Sequence, residues 1–185
     1  MSATAVPQAG TTTWKIDPAH TGAEFKVKHM MISNVKGRFS EVSGTLTLDP
    51  ADVTKSSIEA SVNVASIDTR EPQRDTHLKS ADFFDVEKFP TLTFKSTDVT
   101  RKGEGEFAVA GDLTIHGVTR SVVFDVEGPT PPSKDPWGNL RIGLSATTKI
   151  NRKDFGLLWN APLETGGILI GDEVSITIDA EFVKA

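Results

Sequence analysis

The amino-acid sequence predicts an all-β protein with one short helix: an antiparallel β-barrel of about eight strands, with a helical plug at one end. Most of the chain alternates apolar and polar residues with a period of two, as a half-buried strand does. Short turns join these stretches without helices between them, which favours an antiparallel sheet. A sheet with this many strands closes on itself because closure removes its unpaired edges.

The first predicted strands lie between residues 14 and 48. Residues 14–17 form a short strand, and a second strand starts at Gly22. Its apolar face holds four alternating residues: Ala23, Phe25, Val27 and His29. Residues 35–48 continue as strand, interrupted by Gly37 and Gly44. Glycine inside a strand usually marks a bulge or a sharp bend, as at a barrel corner, so one or the other is expected at each of these positions.

Residues 66–97 contain the segment that breaks the β pattern. Pro72 suits the first turn of a helix because its φ is fixed and it lacks an N–H. Asp75 and Lys79 stand four residues apart and are expected to form an ion pair on the helix surface. Leu78 is the only large aliphatic residue of this helix, which is too short to be stable alone in water. The strands around it must therefore hold it in place, as a plug would be held.

The remaining strands show the same alternation. Before the helical segment, one face consists of Ile58, Ala60, Val62, Val64 and Ser66. After it, the faces consist of Leu92 and Phe94; Phe107, Val109, Gly111, Leu113 and Ile115; Val122, Phe124 and Val126; Ile142, Leu144, Ala146, Thr148 and Ile150; and Val174, Ile176, Ile178, Ala180 and Phe182. Residues 102–105 and 116–117 are hairpin turns. Residues 128–138 and 151–171 are irregular.

The predicted inner face mixes large apolar residues with small ones. An eight-stranded barrel is just wide enough to fill its interior with side chains or to hold one small ligand. The small inward candidates are Ala23, Gly44, Ala60, Gly111, Ala146 and Ala180. They either leave room for a ligand or taper a solid barrel, and the alternation alone does not decide between these possibilities.

Composition narrows the function. The 185 residues, 37% hydrophobic and 24% charged, suit one globular domain over residues 14–185. The net charge of −5 provides no global basic field for nucleic acid, although local basic clusters remain possible. The chain has no cysteine, which excludes disulfides, thiolate metal sites and cysteine nucleophiles.

The first thirteen residues are small and polar and are expected to form a flexible leader, 1–13. No basic segment precedes an apolar one there, so no signal peptide is visible and a cytoplasmic protein is expected. The alternative is a mature form from which a signal was removed. No apolar run approaches the roughly 20 residues that span a bilayer, so no membrane span is expected.

Motifs for catalysis or metal binding are weak. His20, His29, His77 and His116 form no short-range ligand pair, so a metal site would have to be assembled across strands, and none is expected. Asp75 and His77 stand two apart and do not face each other on a helix. There is no nucleophile, phosphate-loop or dinucleotide motif. We therefore expect no enzyme and no cofactor.

Eight ordered segments nevertheless make the chain similar to the YceI-like family of bacterial lipid-binding proteins. They are residues 14–20 (WKIDPAH), 25–30 (FKVKHM), 37–39 (GRF), 66–69 (SIDT), 74–84 (RDTHLKSADFF), 89–96 (FPTLTFKS), 111–119 (GDLTIHGVT) and 151–156 (NRKDFG). The resemblance implies a lipocalin-like, extended antiparallel barrel that binds a long polyisoprenoid, such as an isoprenoid quinone or a prenyl diphosphate, in its lumen. Many relatives carry a signal peptide and act in the periplasm, and a homodimer is plausible.

The expected site combines this resemblance with the alternation. The lumen-lining candidates are Phe25, Val27, His29, Phe39, Val62, Phe94, Leu113, Phe124, Leu144 and Ile176. The head-group candidates, if the head is a diphosphate, are Arg38, Arg74, His77 and Lys79. Storage or transport of a polyisoprenoid is thus the predicted function. The alternatives are an enzyme that uses Asp75, His77 and His29 on an apolar substrate, and a stress-response module that binds another protein.

Overall fold

The computed structural model describes residues 10–185. Its strands are β1 (Thr12–Ile16), β2 (Gly22–His29), β3 (Ser33–Phe39), β4 (Val42–Leu48), β5 (Ser57–Asn63), β6 (Ile67–Asp68), β7 (Thr91–Gly103), β8 (Glu106–Ile115), β9 (Val118–Glu127), β10 (Ser133–Lys134), β11 (Leu140–Asn151) and β12 (Ile170–Lys184). The α-helix is α1 (Pro72–Lys79), and short 3₁₀ turns cover Pro18–His20, Val53–Lys55, Val64–Ser66 and Arg152–Phe155. Of the leader predicted over 1–13, residues 1–9 lie outside the described part, whereas Thr12 and Thr13 belong to β1.

Eight strands close into an antiparallel barrel, as predicted. The ring runs β11–β9–β8–β7–β5–β4–β1–β12, and β12 pairs back onto β11. The strand β12 is long enough to pair with two different strands, β1 and β2, along its length. Its C-terminal end pairs with β1, where Trp14 lies opposite Lys184, and its N-terminal half pairs with β2, where Phe25 lies opposite Ile176. The strands β2, β3 and β6 therefore extend the wall of the barrel beyond the end of β1.

The helix α1 forms where the sequence predicts it. The Glu71 side chain caps its N-terminus by accepting hydrogen bonds from the backbone N–H groups of residues 73 and 74. Leu78 packs against the main core cluster, as expected for its only large aliphatic residue. The predicted Asp75–Lys79 pair is wrong, because the Asp75 carboxylate instead accepts a hydrogen bond from the Thr69 backbone N–H at 2.9 Å. This bond ties the helix to the end of β6.

Two local predictions about strands are also wrong. Gly37 and Gly44 lie in unbroken register, opposite Phe25 and Ala60, without a bulge. A Cβ at residue 37 would collide with the Phe25 ring, so glycine there permits the close approach of that ring. The predicted strand continuing to residue 66 ends earlier, because the Asn63 side chain accepts a hydrogen bond from the Ala65 N–H and caps a 3₁₀ turn.

The buried residues form three clusters along the barrel rather than one solid core. The largest surrounds Trp14 and Phe182, the second Phe107 and Phe124, and the third Phe155. No helix within residues 10–185 is long and apolar enough to cross a bilayer.

Candidate ligand-binding lumen

The inner faces of the strands enclose a cavity of about 390 Å³. This volume lies within the range of small-molecule sites in proteins. Along β11 the cavity touches Leu144, Ala146 and Ile150, a stretch of about 20 Å at roughly 3.3 Å per residue. Val53 and Val99 also line it. The cavity is thus a channel inside the barrel, not a surface cleft.

The wall of this cavity, which we call the lumen, is apolar and incompletely packed. Phe25, Val27, Phe94 and Ile176 point inward, yet each is only half-buried. A filled core buries such side chains at close-packed density, so their remaining exposure shows that the interior has free space. The Phe94 and Phe124 rings meet edge to face, with 5.1 Å between their centroids, which is a favoured geometry for aromatic pairs.

The small inward residues divide into two classes. The four alanines line the lumen: Ala23, Ala60, Ala146 and Ala180. The glycines do not widen it. A Cβ at Gly111 would meet the Phe94 ring and would lie 2.5 Å from the Lys95 carbonyl oxygen, and a Cβ at Gly44 would lie 2.5 Å from the Glu59 carbonyl oxygen. The alanines therefore leave free space inside the lumen, whereas the glycines let neighbouring groups approach the strand.

Every lumen-lining candidate named from the sequence lies on the cavity wall. These residues are Phe25, Val27, His29, Phe39, Val62, Phe94, Leu113, Phe124, Leu144 and Ile176. Their contact with a ligand remains a prediction. Their placement follows from the pleat, which turns alternate side chains of a strand to one face.

The helix α1 brings an aromatic group to one end of the lumen, which we call the α1 mouth. The His77 ring meets the Trp159 ring edge to face at 4.7 Å and the Phe83 ring at 5.0 Å. The Nε2 atom of His77 lies 2.8 Å from a carboxylate oxygen of Asp82. His77 and Trp159 both line the lumen, so this mouth combines an apolar rim with a polar ring nitrogen.

The four head-group candidates do not come together. Arg74 and His77 line the lumen. The Arg74 guanidinium is largely occupied, since its Nε and Nη2 each donate to Thr69 at 2.8 Å. Arg38 lies on the outer face of β3, opposite Asp68 of β6, and Lys79 is not among the lining residues.

Sequence reasoning missed one buried cation on the lumen wall. Arg152 is 4% exposed and follows Asn151, which caps the 3₁₀ turn that begins there. Its guanidinium donates to the carbonyl oxygens of Leu157 at 2.6 Å, Trp159 at 2.9 Å and Gly171 at 2.9 Å. The motif NRKDFG at residues 151–156 contains Arg152, but its surroundings in an irregular segment gave no sign of burial.

The charge of Arg152 is poorly compensated. The nearest carboxylate, that of Asp172, lies 3.8 Å from Nη2, and its buried Oδ1 has no hydrogen-bond partner. Burial lowers the pKa of Arg152 below its ordinary value, because removing a cation from water disfavours the charged form. Arg152 thus brings positive potential to the α1 mouth while its donors hold the segment 157–171 in place.

A second polar cluster lies outside the lumen, where β1, β11 and β12 meet. Ligand atoms of Asp17, His20 and Glu181 lie within 4.8 Å of one another. The Arg141 guanidinium donates to Asp17 at 2.7 Å and to Asp135 at 2.8 Å, so both carboxylates already have a cationic partner. The hydrogen bonds from His20 and Arg141 lower the pKa of Asp17 to about 2. We interpret this cluster as an ion-pair network that ties the ends of three strands together.

A closed antiparallel barrel with a hollow apolar lumen and a helix at one mouth defines a lipocalin-like container. The family model of the YceI-like domain matches residues 14–182, and the chain belongs to this family. A UPF0312 protein of Vibrio cholerae is 44% identical over 139 residues, which cover 75% of this chain and 73% of that protein.

Two solved structures share the fold. The YceI protein of Campylobacter jejuni is 31% identical and superposes with a TM-score of 0.71 over 86% of this chain and 91% of that one. A polyisoprenoid-binding domain from Saccharophagus degradans, implicated in plant cell wall breakdown, has 14% identity and a TM-score of 0.69 over 94% of this chain and 99% of that one. At that identity the second similarity shows the fold alone.

Proposed function

We propose that the protein binds a long-chain polyisoprenoid, an isoprenoid quinone or a prenyl diphosphate, in the lumen and stores or transports it without catalysis. The observation that carries this proposal is the apolar channel of about 390 Å³ inside the barrel. The polyisoprenoid-binding domain of the same fold from S. degradans supports the choice of ligand class.

The physical properties of such a ligand suit the lumen. A polyprenyl chain is extended and apolar, and each buried CH₂ contributes roughly 0.8 kcal/mol. The free energy of burying several isoprene units therefore exceeds the entropic cost of association. The inner wall offers phenyl rings and branched aliphatic side chains along its length, as Phe94, Leu113 and Ile176 show. The length of the open channel then sets the length of the polyprenyl chain that fits.

The polar head group of the ligand would lie at the α1 mouth. There His77 supplies a ring nitrogen, Arg74 supplies the donors that Thr69 leaves free, and Arg152 supplies a buried positive charge. A diphosphate would be favoured by the two cations, and a quinone oxygen needs only one donor. Arg38 and Lys79 could touch only a head group that extends outside the lumen.

The absence of catalysis is part of the proposal. The carboxylate of Asp75, a general-base candidate, already accepts hydrogen bonds from the Thr69 N–H and hydroxyl. His77 is paired with Asp82 at 2.8 Å. Asp75 thus attaches α1 to the end of β6, and His77 stabilises the end of α1. Both of these catalytic candidates therefore have structural roles.

Mass spectrometry of organic extracts from the purified protein tests the proposal. We expect a polyisoprenoid from the unmodified protein and none from Ala146→Phe, which adds a phenyl ring inside the lumen. Ala108→Phe is the matched control, because Ala108 lies between the inward residues Phe107 and Val109 and faces outward. Extracts without any polyisoprenoid, or equal amounts from both variants, would overturn the proposed function.

Location and assembly complete the proposal. We place the protein in the cytoplasm, because a chain without cysteine has no disulfides that a reducing compartment would break. We propose that it stores or transports its ligand during stress. The candidate assembly is a homodimer. Fractionation of native cells and sedimentation of the purified protein test these points. Recovery from the periplasm, or a monomer at all concentrations, would remove the corresponding part.

A further inference from the structure

The turn between β2 and β3 carries three exposed apolar residues. Met30 is 41% exposed, Met31 62% and Ile32 79%. Leu158, in the adjacent segment between β11 and β12, is 62% exposed. Within residues 10–185 these are four of the six exposed large hydrophobic residues. We call residues 30–32 the hairpin tip.

The hairpin tip is continuous with the wall of the lumen. The Met30 N–H donates to the Leu169 carbonyl oxygen at 2.7 Å. Leu169 and His29, which precedes the tip, both line the lumen. Ile170 lies opposite His29 in the sheet, and its carbonyl accepts a hydrogen bond from the Asn160 side chain. The exposed tip and the α1 mouth thus belong to the same end of the barrel.

The backbone conformation of the hairpin tip is one that its residues adopt poorly. Met30 and Met31 have φ values of 53° and 60°, in the left-handed region. Hairpin turns of this kind favour Asn-Gly, because glycine and asparagine adopt positive φ readily and larger side chains do not. Two methionines are therefore poor choices for the turn itself. Such a conflict between local preference and structure is typical of a functional position.

The outer face of the hairpin is basic. Residues 22–39 contain the cations Lys26, Lys28, Lys36 and Arg38 and a single carboxylate, Glu24, in a chain whose net charge is −5. Glu24 lies opposite Arg38, but Lys26 lies directly opposite Lys36. Like charges in directly opposite positions destabilise a sheet, so this pair lacks a partner within the hairpin.

We propose that the β2–β3 hairpin docks the protein onto an anionic lipid bilayer. The side chains of Met30, Met31 and Ile32 insert between the lipid head groups, and the cations Lys26 and Lys36 contact their phosphates. Apolar insertion combined with basic residues is the combination by which peripheral proteins bind anionic membranes. Docking by this end turns the α1 mouth toward the bilayer. The inference extends beyond the proposed ligand, since it concerns a surface and not the content of the lumen.

Flotation with lipid vesicles tests this inference. The purified protein is mixed with vesicles of phosphatidylcholine alone or with equal parts of phosphatidylglycerol, and the bound fraction is measured. We expect binding to the anionic vesicles, weaker binding at high salt and little binding to neutral ones. The double variant Met30→Asn with Met31→Gly should lower the partition coefficient at least roughly tenfold.

These variants separate docking from a structural role. Asn-Gly suits the turn, so the double variant should be at least as thermally stable as the original protein. Lys36→Glu gives Lys26 an opposite charge across the strand and should leave stability unchanged or raise it, while binding to anionic vesicles falls about fivefold or more. Trp137→Ser is the control. Trp137 is exposed like the tip residues, at 81%, but it precedes the N-terminal end of β11, away from the hairpin tip.

The outcomes are distinct. Loss of vesicle binding in the tip and charge variants, with stability and extracted lipid retained, supports docking and leaves the proposed function to its own test. Failure of the original protein to bind anionic vesicles overturns the inference. Unchanged binding by the double variant overturns it as well. Self-association that the double variant abolishes, without vesicle binding, would assign the tip to a second copy of the chain and also overturn it.

Discussion

Arg152→Met removes the buried cation that holds the segment after β11. The guanidinium makes three hydrogen bonds of 2.9 Å or shorter to main-chain carbonyls, and that of Leu157 belongs to a buried residue. Each hydrogen bond to a charged donor contributes about 1.5–3 kcal/mol, and a buried acceptor left without a partner costs about 1–3 kcal/mol. Removal of a poorly compensated buried charge offsets part of this loss. We expect the free energy of unfolding to fall by about 3–5 kcal/mol.

Thermal and guanidinium unfolding measure this loss. A change of 3–5 kcal/mol should lower Tm by about 6–20 °C in a chain of this length. Arg120→Met is the control, because Arg120 is exposed and its Nε makes one hydrogen bond, to the Asp154 carbonyl at 3.1 Å. The control should change stability by less than about 0.5 kcal/mol. Equal stability of both variants would refute the reasoning that the hydrogen bonds of Arg152 stabilise this end of the barrel.

Two further predictions concern packing and pH. Gly111→Ala should lower the free energy of unfolding by about 2 kcal/mol, because the new Cβ would lie 2.5 Å from a backbone carbonyl oxygen that cannot move aside; an unchanged guanidinium midpoint would contradict this. The pKa of Asp17, lowered to about 2 by hydrogen bonds from His20 and Arg141, predicts stability that is present above the unfolded pKa and lost as pH falls through the folded one. Asp17→Asn should therefore flatten the fall of Tm between about pH 4 and pH 2, and parallel curves would contradict the assignment.

The period-two alternation and the short turns between strands predicted the barrel, and the alternation together with the family resemblance predicted residues of its wall. The pleat of a strand determines which side chains share a face, whatever the neighbouring strand is, so Phe25 and Ile176 could be placed from the local pattern alone. The same rule could have excluded Arg38, because its neighbour Phe39 faces inward and adjacent residues of a strand point to opposite sides. The helix was predictable from Pro72 and from Leu78 as its anchor.

Features that depend on distant segments could not be predicted in this way. The burial of Arg152 depends on the carbonyls of Leu157, Trp159 and Gly171, which converge through an irregular connection. Whether a small inward residue leaves room depends on the neighbouring strand, and so Gly111 and Ala146 differ although both are small. Such arrangements are decided by packing, not by local preference.

The content of the lumen in a crystal of the protein purified from its native cells is the most direct test of the central claim. We predict continuous elongated electron density along the barrel axis, between the wall formed by Phe94 and Ile176, ending in a polar head near His77 and Arg152. A lumen that contains only ordered water, or one that has collapsed so that the same side chains fill it, would contradict the account.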